Sequence, residues 1–569
     1  MDRRSLLLPS LLAAAALAIN LTAIGWGLPN GNDTWAADSI RPGAPLSIIY
    51  RTFVSDPINS GWFWFKYPPG HVFIIAAAYA PYMAWLWISG GIVDPGSSYP
   101  YGMTDPEGTL AALAIIGRLL SALMGTGCVL LVFATLRNSF GRGAATAAAA
   151  LTALSYPMVY YSHTTNVEIP YLFWMLLALL AATRLLEGQQ QRRWWVLLAL
   201  GAAMSVSSKE LGAGAFLALP PVVAVYVARN QGAAGLVRGG LIAAVALIVT
   251  MVAANNIALN PSGFLNRVGF LTHTLPAETA LQYAPYYFPI DLGVARGWAT
   301  ELTQLKTAGQ QLTVALGWPA LVLAVAGLFL AARRRPAWTL MVVGAGLGFY
   351  LLGLRAMLSM SLRYVMPLSL LACLPAGIAL ARLTAEGRGA ALRRMVAGLI
   401  CLYLAAYGLD VCRMLGGDGR YGAEAWLEAN LSNGQLVETY QRPTYLPRLP
   451  AEARHVEVDF YDRSIEGLRN RDPDYIVLSS AGIAGFSVKY SSDWKDSGQD
   501  SDQWVANQIG PGGQVLNYKR RANIELLEGI MNGSLGYSEV GRFVVDPWID
   551  RPLIQSLNPE ITIYARSRP

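Results

Sequence analysis

A polytopic α-helical membrane protein with a C-terminal extracytoplasmic α/β domain is the fold class this sequence predicts, on three observations. First, 54% of its 569 residues are hydrophobic and only 14% are charged, where a soluble globular chain carries about 25% charged residues. Second, apolar runs long enough to span a bilayer recur up to residue 412. Third, the composition then turns polar and strand-like. The expected division is therefore 1–412 in the membrane and 413–569 outside it.

The elements follow in order. Arg3-Arg4 before an apolar run resembles a signal peptide, but the run continues to Trp26, so an uncleaved first helix is expected. Basic loops mark the cytoplasmic side. They are Arg137 to Arg142, Arg192-Arg193, Arg229 to Arg238, Arg333 to Arg335 and Arg382 to Arg394. Single crossings fit between them at 109–136, 143–161, 168–187, 194–207, 211–228, 238–258, 312–332, 337–354, 362–381 and 395–412. Segment 71–93 is apolar but is followed by an acidic loop without Lys or Arg. It is read as a juxtamembrane or re-entrant helix, leaving about eleven crossings. This parity puts loop 27–69, loop 259–311 and the C-terminal domain outside, with the N-terminus cytoplasmic.

The same parity gathers several polar islands on the external face. Loop 27–69 holds Asp33, Asp38 and Lys66. A carboxylate at a membrane surface suits a general base, and an ammonium beside two prolines suits an anion. His163, Asn166 and Glu168 lie where one apolar helix ends and the next begins. Glu168 also suits a helix N-terminus as a simple cap. Lys209-Glu210 sits in a short turn after Ser205, Ser207 and Ser208. Neighbouring residues on a helix do not face each other, so Lys209 should seek another anion. Arg355 and Arg363 flank a short loop, and Arg118 lies about two turns into its helix. Each arginine suits either phosphate or interfacial anchoring.

A divalent cation on Asp38, Glu168 and His163 is the one cofactor left open, without diagnostic spacing. Cys128, Cys373, Cys401 and Cys412 lie in apolar segments, so neither a disulfide framework nor a metal cluster is expected. The sequence has no Walker loop, no HExxH and no GxSxG in a fitting context. The net charge of +7 falls largely in topology loops, which argues against a nucleic-acid partner.

Trp35-x-x-Asp38, Lys66 before a proline, Glu168-x-Pro170 with Phe173-Trp174, Ser208-Lys209 and Arg363-Tyr364-x-x-Pro367 together resemble the GT-C membrane glycosyltransferases. The branch is that of protein O-mannosyltransferases and lipid A aminoarabinose transferases. The resemblance covers most of 1–412. It implies an inverting hexosyl- or pentosyltransferase that takes a polyprenyl-phosphate sugar and glycosylates an external hydroxyl. Asp38 would be the catalytic acid of the first loop and Glu168 the second-loop acid. Lys66 and Lys209, helped by Arg363, would bind the carrier phosphate. Ser39 and Glu168 depart from the usual Glu and Asp, and the second departure bears on metal binding more than on fold. An external site has no supply of cytoplasmic nucleotide sugars, which agrees with a lipid-borne donor. The expected location is the inner or plasma membrane. The alternative is a transporter or flippase of a lipid-linked anion, which calls for mid-membrane breaks and an inverted repeat.

Beyond residue 412, Asp418 to Leu431 reads as an amphipathic helix. Strands are expected at 436–440, 455–460, 475–479 and 561–565, a helix at 522–532 and a long loop at 487–513.

Overall fold

A computed structural model describes residues 3–29, 31–55, 61–64, 66–189, 191–272, 274–276, 298–356, 361–458, 462–483 and 521–567. The expected loop 487–513 lies outside them. The chain forms two compact units. One comprises Met1–Gly25, Asp38–Cys412 and Trp548–Pro552, and the other Trp26–Ala37, Arg413–Pro547 and Leu553–Pro569.

The first unit is helical. Its elements are α1 (Arg3–Leu21), α2 (Ala44–Tyr50), α3 (Gly70–Ile88), α4 (Pro106–Phe140), α5 (Arg142–Leu154), α6 (Tyr156–Ser162), α7 (Glu168–Leu186) and α8 (Arg192–Ser208). They continue as α9 (Leu219–Ala254), α10 (Pro261–Leu271), α11 (Trp298–Leu316), α12 (Trp318–Arg334), α13 (Pro336–Leu352), α14 (Met366–Thr384) and α15 (Ala390–Gly416). By length and composition, 6 helical segments among the described residues suffice to cross a membrane, or 7 if the bent pair 301–316 and 318–334 counts as one. Gly70–Ile88 is among the six.

Several expected single crossings are broken, each at a residue with a backbone reason. Segment 143–161 divides at Ser155 into α5 and α6, because Pro157 has no N–H to continue the helix ladder and sits in the first turn of α6. The basic loop between 211–228 and 238–258 becomes a kink inside α9 at Gly232, where φ is 82°. Before α9, Glu210–Leu217 is a 3₁₀ helix. Segment 312–332 bends by 108° at Gly317, whose φ of 76° leads into Trp318-Pro319. Loop 259–311 contains α10 and the start of α11.

α7 is buried over nearly its whole length because it is apolar on every face, as a central helix must be. Small residues admit its neighbour: a Cβ on Gly201 of α8 would lie 2.6 Å from the Trp174 carbonyl oxygen. A second core joins Ile40, Ile48, Val72, Ile75, Tyr79 and Leu110, and packs loop 38–48 onto α3 and α4.

The second unit is a five-stranded mixed sheet of β1 (Leu436–Thr439), β2 (Arg454–Glu457), β3 (Tyr475–Ser479), β4 (Tyr537–Phe543) and β5 (Ile561–Arg566), in the order β2-β1-β3-β5-β4. β1 pairs parallel with β2 and β3, while β5 runs antiparallel to β3 and β4. The strand period sends Ile476 and Leu478 into one core, with Leu526 and Ile530 of the helix Arg521–Met531, and Val477 into the other, with Leu427 of the helix Gly419–Asn430. β4 was not expected. It is an edge strand with mostly exposed residues and a bulge between Glu539 and Gly541, so its apolar alternation is weak. A buried acid, Asp418, caps the helix Gly419–Asn430. It also accepts from Arg420 Nη2 and Trp26 Nε1, at 2.7 and 2.9 Å. Trp35 covers the Arg420 guanidinium at 4.2 Å.

Candidate active site

The site assembles at the ends of helices in the first unit. Asp38 follows α1 in a turn and takes a left-handed backbone with φ 58°, which aspartate tolerates better than most residues. Thr165 Oγ1 donates to the Ile40 carbonyl at 2.7 Å, and Ile40 N donates back to the Thr165 carbonyl at 3.3 Å. These bonds pin the turn after Asp38 to the polar island before α7. Tyr67 donates its hydroxyl to the Asp38 carbonyl at 3.2 Å. Ser205 Oγ donates to the Tyr171 carbonyl at 3.0 Å, which holds the end of α8 against the start of α7.

Two acid–cation pairs result. Glu168, the first residue of α7, is fully buried, and Lys209 Nζ donates to its Oε1 at 2.8 Å. Lys209 caps the C-terminus of α8 with extended backbone, and its ammonium lies over the rings of Tyr171 and Tyr364 at 5.4 and 5.3 Å. The anion that Lys209 seeks within the protein is thus Glu168. The second pair is Arg363 Nη1 donating to Asp38 Oδ2 at 2.6 Å. Arg363 lies in a 3₁₀ turn that opens α14, and its Nη2 donates to the Tyr364 hydroxyl at 2.7 Å.

Lys66 completes the cluster. The charges of Asp38, Glu168, Arg41 and Arg363 all act on it. Its side chain reaches the surface yet is crowded by protein, and this desolvation lowers its ammonium pKa, with Asp38 opposing. Its strand of loop is held by α10: Arg267 Nη1 donates to the Trp64 carbonyl at 3.0 Å and Asn260 Nδ2 to the Trp62 carbonyl at 2.6 Å. Arg267 also pairs with Glu210, so the acid beside Lys209 serves this scaffold. Desolvation first, then the Glu168 charge, raises the Tyr67 pKa well above its ordinary value, so Tyr67 stays a neutral donor.

The geometry sorts the sequence-derived candidates. Asp38, Glu168, Lys66, Lys209 and Arg363 come together. Three candidates offered only as possible have other partners. His163 places both ring nitrogens 2.7 Å from main-chain carbonyls, those of Val159 and Thr22, so it ties α6 to the end of α1. Arg118 is buried and donates to the Ile24 carbonyl at 2.8 Å, a packing role. Arg355 donates to Glu301 at 2.6 Å and is exposed. Because such a surface pair contributes little, Arg355→Ala should leave the unfolding midpoint and any activity near wild type, as calorimetry and assay would show. Asp33 falls in the second unit and Asp38 in the first.

A metal on Asp38, Glu168 and His163 does not fit. Among the described residues no three His, Cys, Asp or Glu side chains converge on one point. Arg363 and Lys209 already occupy the two carboxylates.

Sequence reasoning gave no site role to Arg41, Tyr67 and Tyr171, and used Tyr364 only within the Arg363-Tyr364-x-x-Pro367 motif. Aromatic residues are common at membrane interfaces, so nothing in sequence separates the tyrosines from a belt. Two of the buried polar atoms are left over: among the described residues neither Glu168 Oε2 nor the Tyr171 hydroxyl has a hydrogen-bond partner. Such atoms are costly and call for an explanation. Together the cluster offers four cations, Arg41, Lys66, Lys209 and Arg363, against two acids, with two spare polar atoms and aromatic walls. That chemistry suits a phosphate joined to a hydroxylated group.

Residues 113–258, which include Glu168 and Lys209, match the family model of dolichyl-phosphate-mannose-protein mannosyltransferases. The resemblance to GT-C glycosyltransferases drawn from scattered motifs is met by this match. No curated protein sequence matches the chain. Similar solved structures include the Archaeoglobus fulgidus oligosaccharyltransferase, at 12% identity and TM-score 0.43 over 89% of this chain and 70% of that one. ArnT from Cupriavidus metallidurans bound to undecaprenyl phosphate is 14% identical, with TM-score 0.43 over 84% and 94%. The arabinofuranosyltransferase AftD from Mycobacteria is 15% identical, with TM-score 0.42 over 99% and 42%.

Proposed function

We propose that the chain is a membrane glycosyltransferase that moves a sugar from a polyprenyl-phosphate donor to a hydroxyl acceptor on the outer face of the membrane, with inversion. The observation that carries this reading is the cluster itself. A buried Glu168–Lys209 pair stands beside a solvent-reaching Asp38–Arg363 pair, with Lys66 as an additional cation. The family match over 113–258 supplies the donor class.

In this reading the acceptor oxygen attacks the anomeric carbon as the bond to the carrier phosphate breaks. Asp38 takes the acceptor proton. Its Oδ2 is held by Arg363, while Oδ1 accepts no hydrogen bond among the described residues. Lys66, Lys209 and Arg363 neutralise the phosphate as it leaves, a charge-stabilising role that grows toward the transition state. Glu168 sets the position of Lys209, and its free Oε2 accepts from a sugar hydroxyl. The acceptor is a protein, a lipid or an envelope glycan.

The test is transfer by purified protein from a panel of radiolabelled polyprenyl-phosphate sugars; no transfer from any of them would refute the reading. Lys66→Ala should weaken donor binding by about 10- to 100-fold, the worth of one charged hydrogen bond. Donor binding to wild type should also fall as pH rises. The lowered pKa means that Lys66 loses its proton, and its attraction for phosphate, below the ordinary 10.5. Lys66→Arg should extend binding to higher pH, because the guanidinium does not titrate there. An unchanged alkaline limb in Lys66→Arg would remove Lys66 from the phosphate site.

A further inference from the structure

Two cavities open where the basic residues cluster, and each is rimmed by a pair of arginines. The more enclosed, of about 220 Å³, has walls of Phe140, Ala144, Leu330 and Ile378, with Arg334 and Arg382 at its edge. These residues come from α4, α5, α12 and α14. Arg334 is the last residue of α12, and Arg382 lies in the last turn of α14. Neither guanidinium has an ion-pair or hydrogen-bond partner among the described residues.

A helix C-terminus favours a cation, and that alone explains an arginine on one helix. It does not explain two unpaired guanidiniums, on separate helices, facing one cavity with an apolar floor. Both line the same cavity, so their positive charges add there and favour an anion. Guanidinium forks match phosphate oxygens, and the apolar walls match hydrocarbon. The second cavity repeats the chemistry, with Arg192 and Arg238 beside Val237, Leu241 and Ile242. Basic pockets between membrane helices suit anionic lipid headgroups.

We infer that the Arg334–Arg382 cavity binds the phosphate headgroup of an anionic phospholipid, with its acyl chains along the walls formed by α4, α12 and α14. This lipid site is separate from the acid–cation cluster. Arg363 immediately precedes α14 and Arg382 lies near its far end, about 28 Å away at 1.5 Å per residue.

The test uses full-length protein purified in neutral detergent and given phosphatidylglycerol or phosphatidylcholine, with retained lipid counted by native mass spectrometry. Wild type should retain phosphatidylglycerol in preference. Arg334→Gln/Arg382→Gln should lower that retention by about 30-fold, a factor of about five for each charge. Arg334→Lys/Arg382→Lys keeps both charges but loses the forks, so its retention should fall between wild type and the glutamine variant. Both arginines are exposed, so each variant should elute and unfold as wild type does. Equal retention of the two lipids by wild type, or undiminished phosphatidylglycerol retention by the glutamine variant, would overturn the proposal. Soluble glycerol phosphate should not displace the lipid. Displacement at equal concentration would show a site for free phosphate and overturn the lipid assignment.

Discussion

Asp38→Asn is expected to slow sugar transfer by about 10²- to 10⁴-fold, the usual contribution of a positioned general base, while donor binding changes by less than about threefold. The substitution is a clean probe for two reasons. Asparagine accepts the left-handed backbone that Asp38 adopts, with φ 58°, whereas alanine there would add strain of about 1 kcal/mol. Asparagine also still accepts a hydrogen bond from Arg363, which in the protein meets Asp38 Oδ2 at 2.6 Å. The side chain is 53% exposed, so folding should not depend on its charge. Single-turnover transfer and donor binding, measured side by side, separate the two effects. Transfer at the wild-type rate would remove Asp38 as the base. Lost donor binding would instead make Asp38 the residue that orients Arg363.

Lys209→Met is expected to destabilise the first unit by about 3–5 kcal/mol. It leaves the Glu168 carboxylate buried without its cation, and breaking a buried pair from one side costs about that much. Glu168 is fully buried and Lys209 nearly so, so water cannot replace the missing partner. Glu168→Gln/Lys209→Met should recover most of the loss, because it removes both charges together. It should still bind donor poorly, since the cation for phosphate is gone. Thermal unfolding in detergent and donor binding test the two halves separately. A double variant as unstable as Lys209→Met would show that the pair stabilises through packing, not through charge compensation.

Much of this protein was legible without coordinates. The helical character of 1–412 and most of the strand–helix order after 412 follow from periodicity and composition, because burying apolar surface leaves a chain few other choices. Broken crossings were not legible. Ser155 and Gly317 each look tolerable in a helix, and only the packing around them shows where the backbone leaves it, whereas at Gly232 the expected loop is a kink in a helix that continues. β4 escaped because an exposed edge strand needs no apolar face.

The candidate site divides in the same way. Charged residues inside an apolar chain are costly, so the sequence alone marks Asp38, Lys66, Glu168, Lys209 and Arg363 as residues with a purpose. Their partners are another matter. The Glu168–Lys209 pair spans 41 positions and the Asp38–Arg363 pair 325, and no local pattern encodes a contact at that range. His163 and Arg118 carry the same sequence signal as the five that converge, yet main-chain carbonyls hold both. The sequence by itself determined which side chains are too costly to be accidental. Tertiary structure alone decided which of them answer a neighbour's charge, which satisfy a buried carbonyl, and which leave an atom without a partner among the described residues.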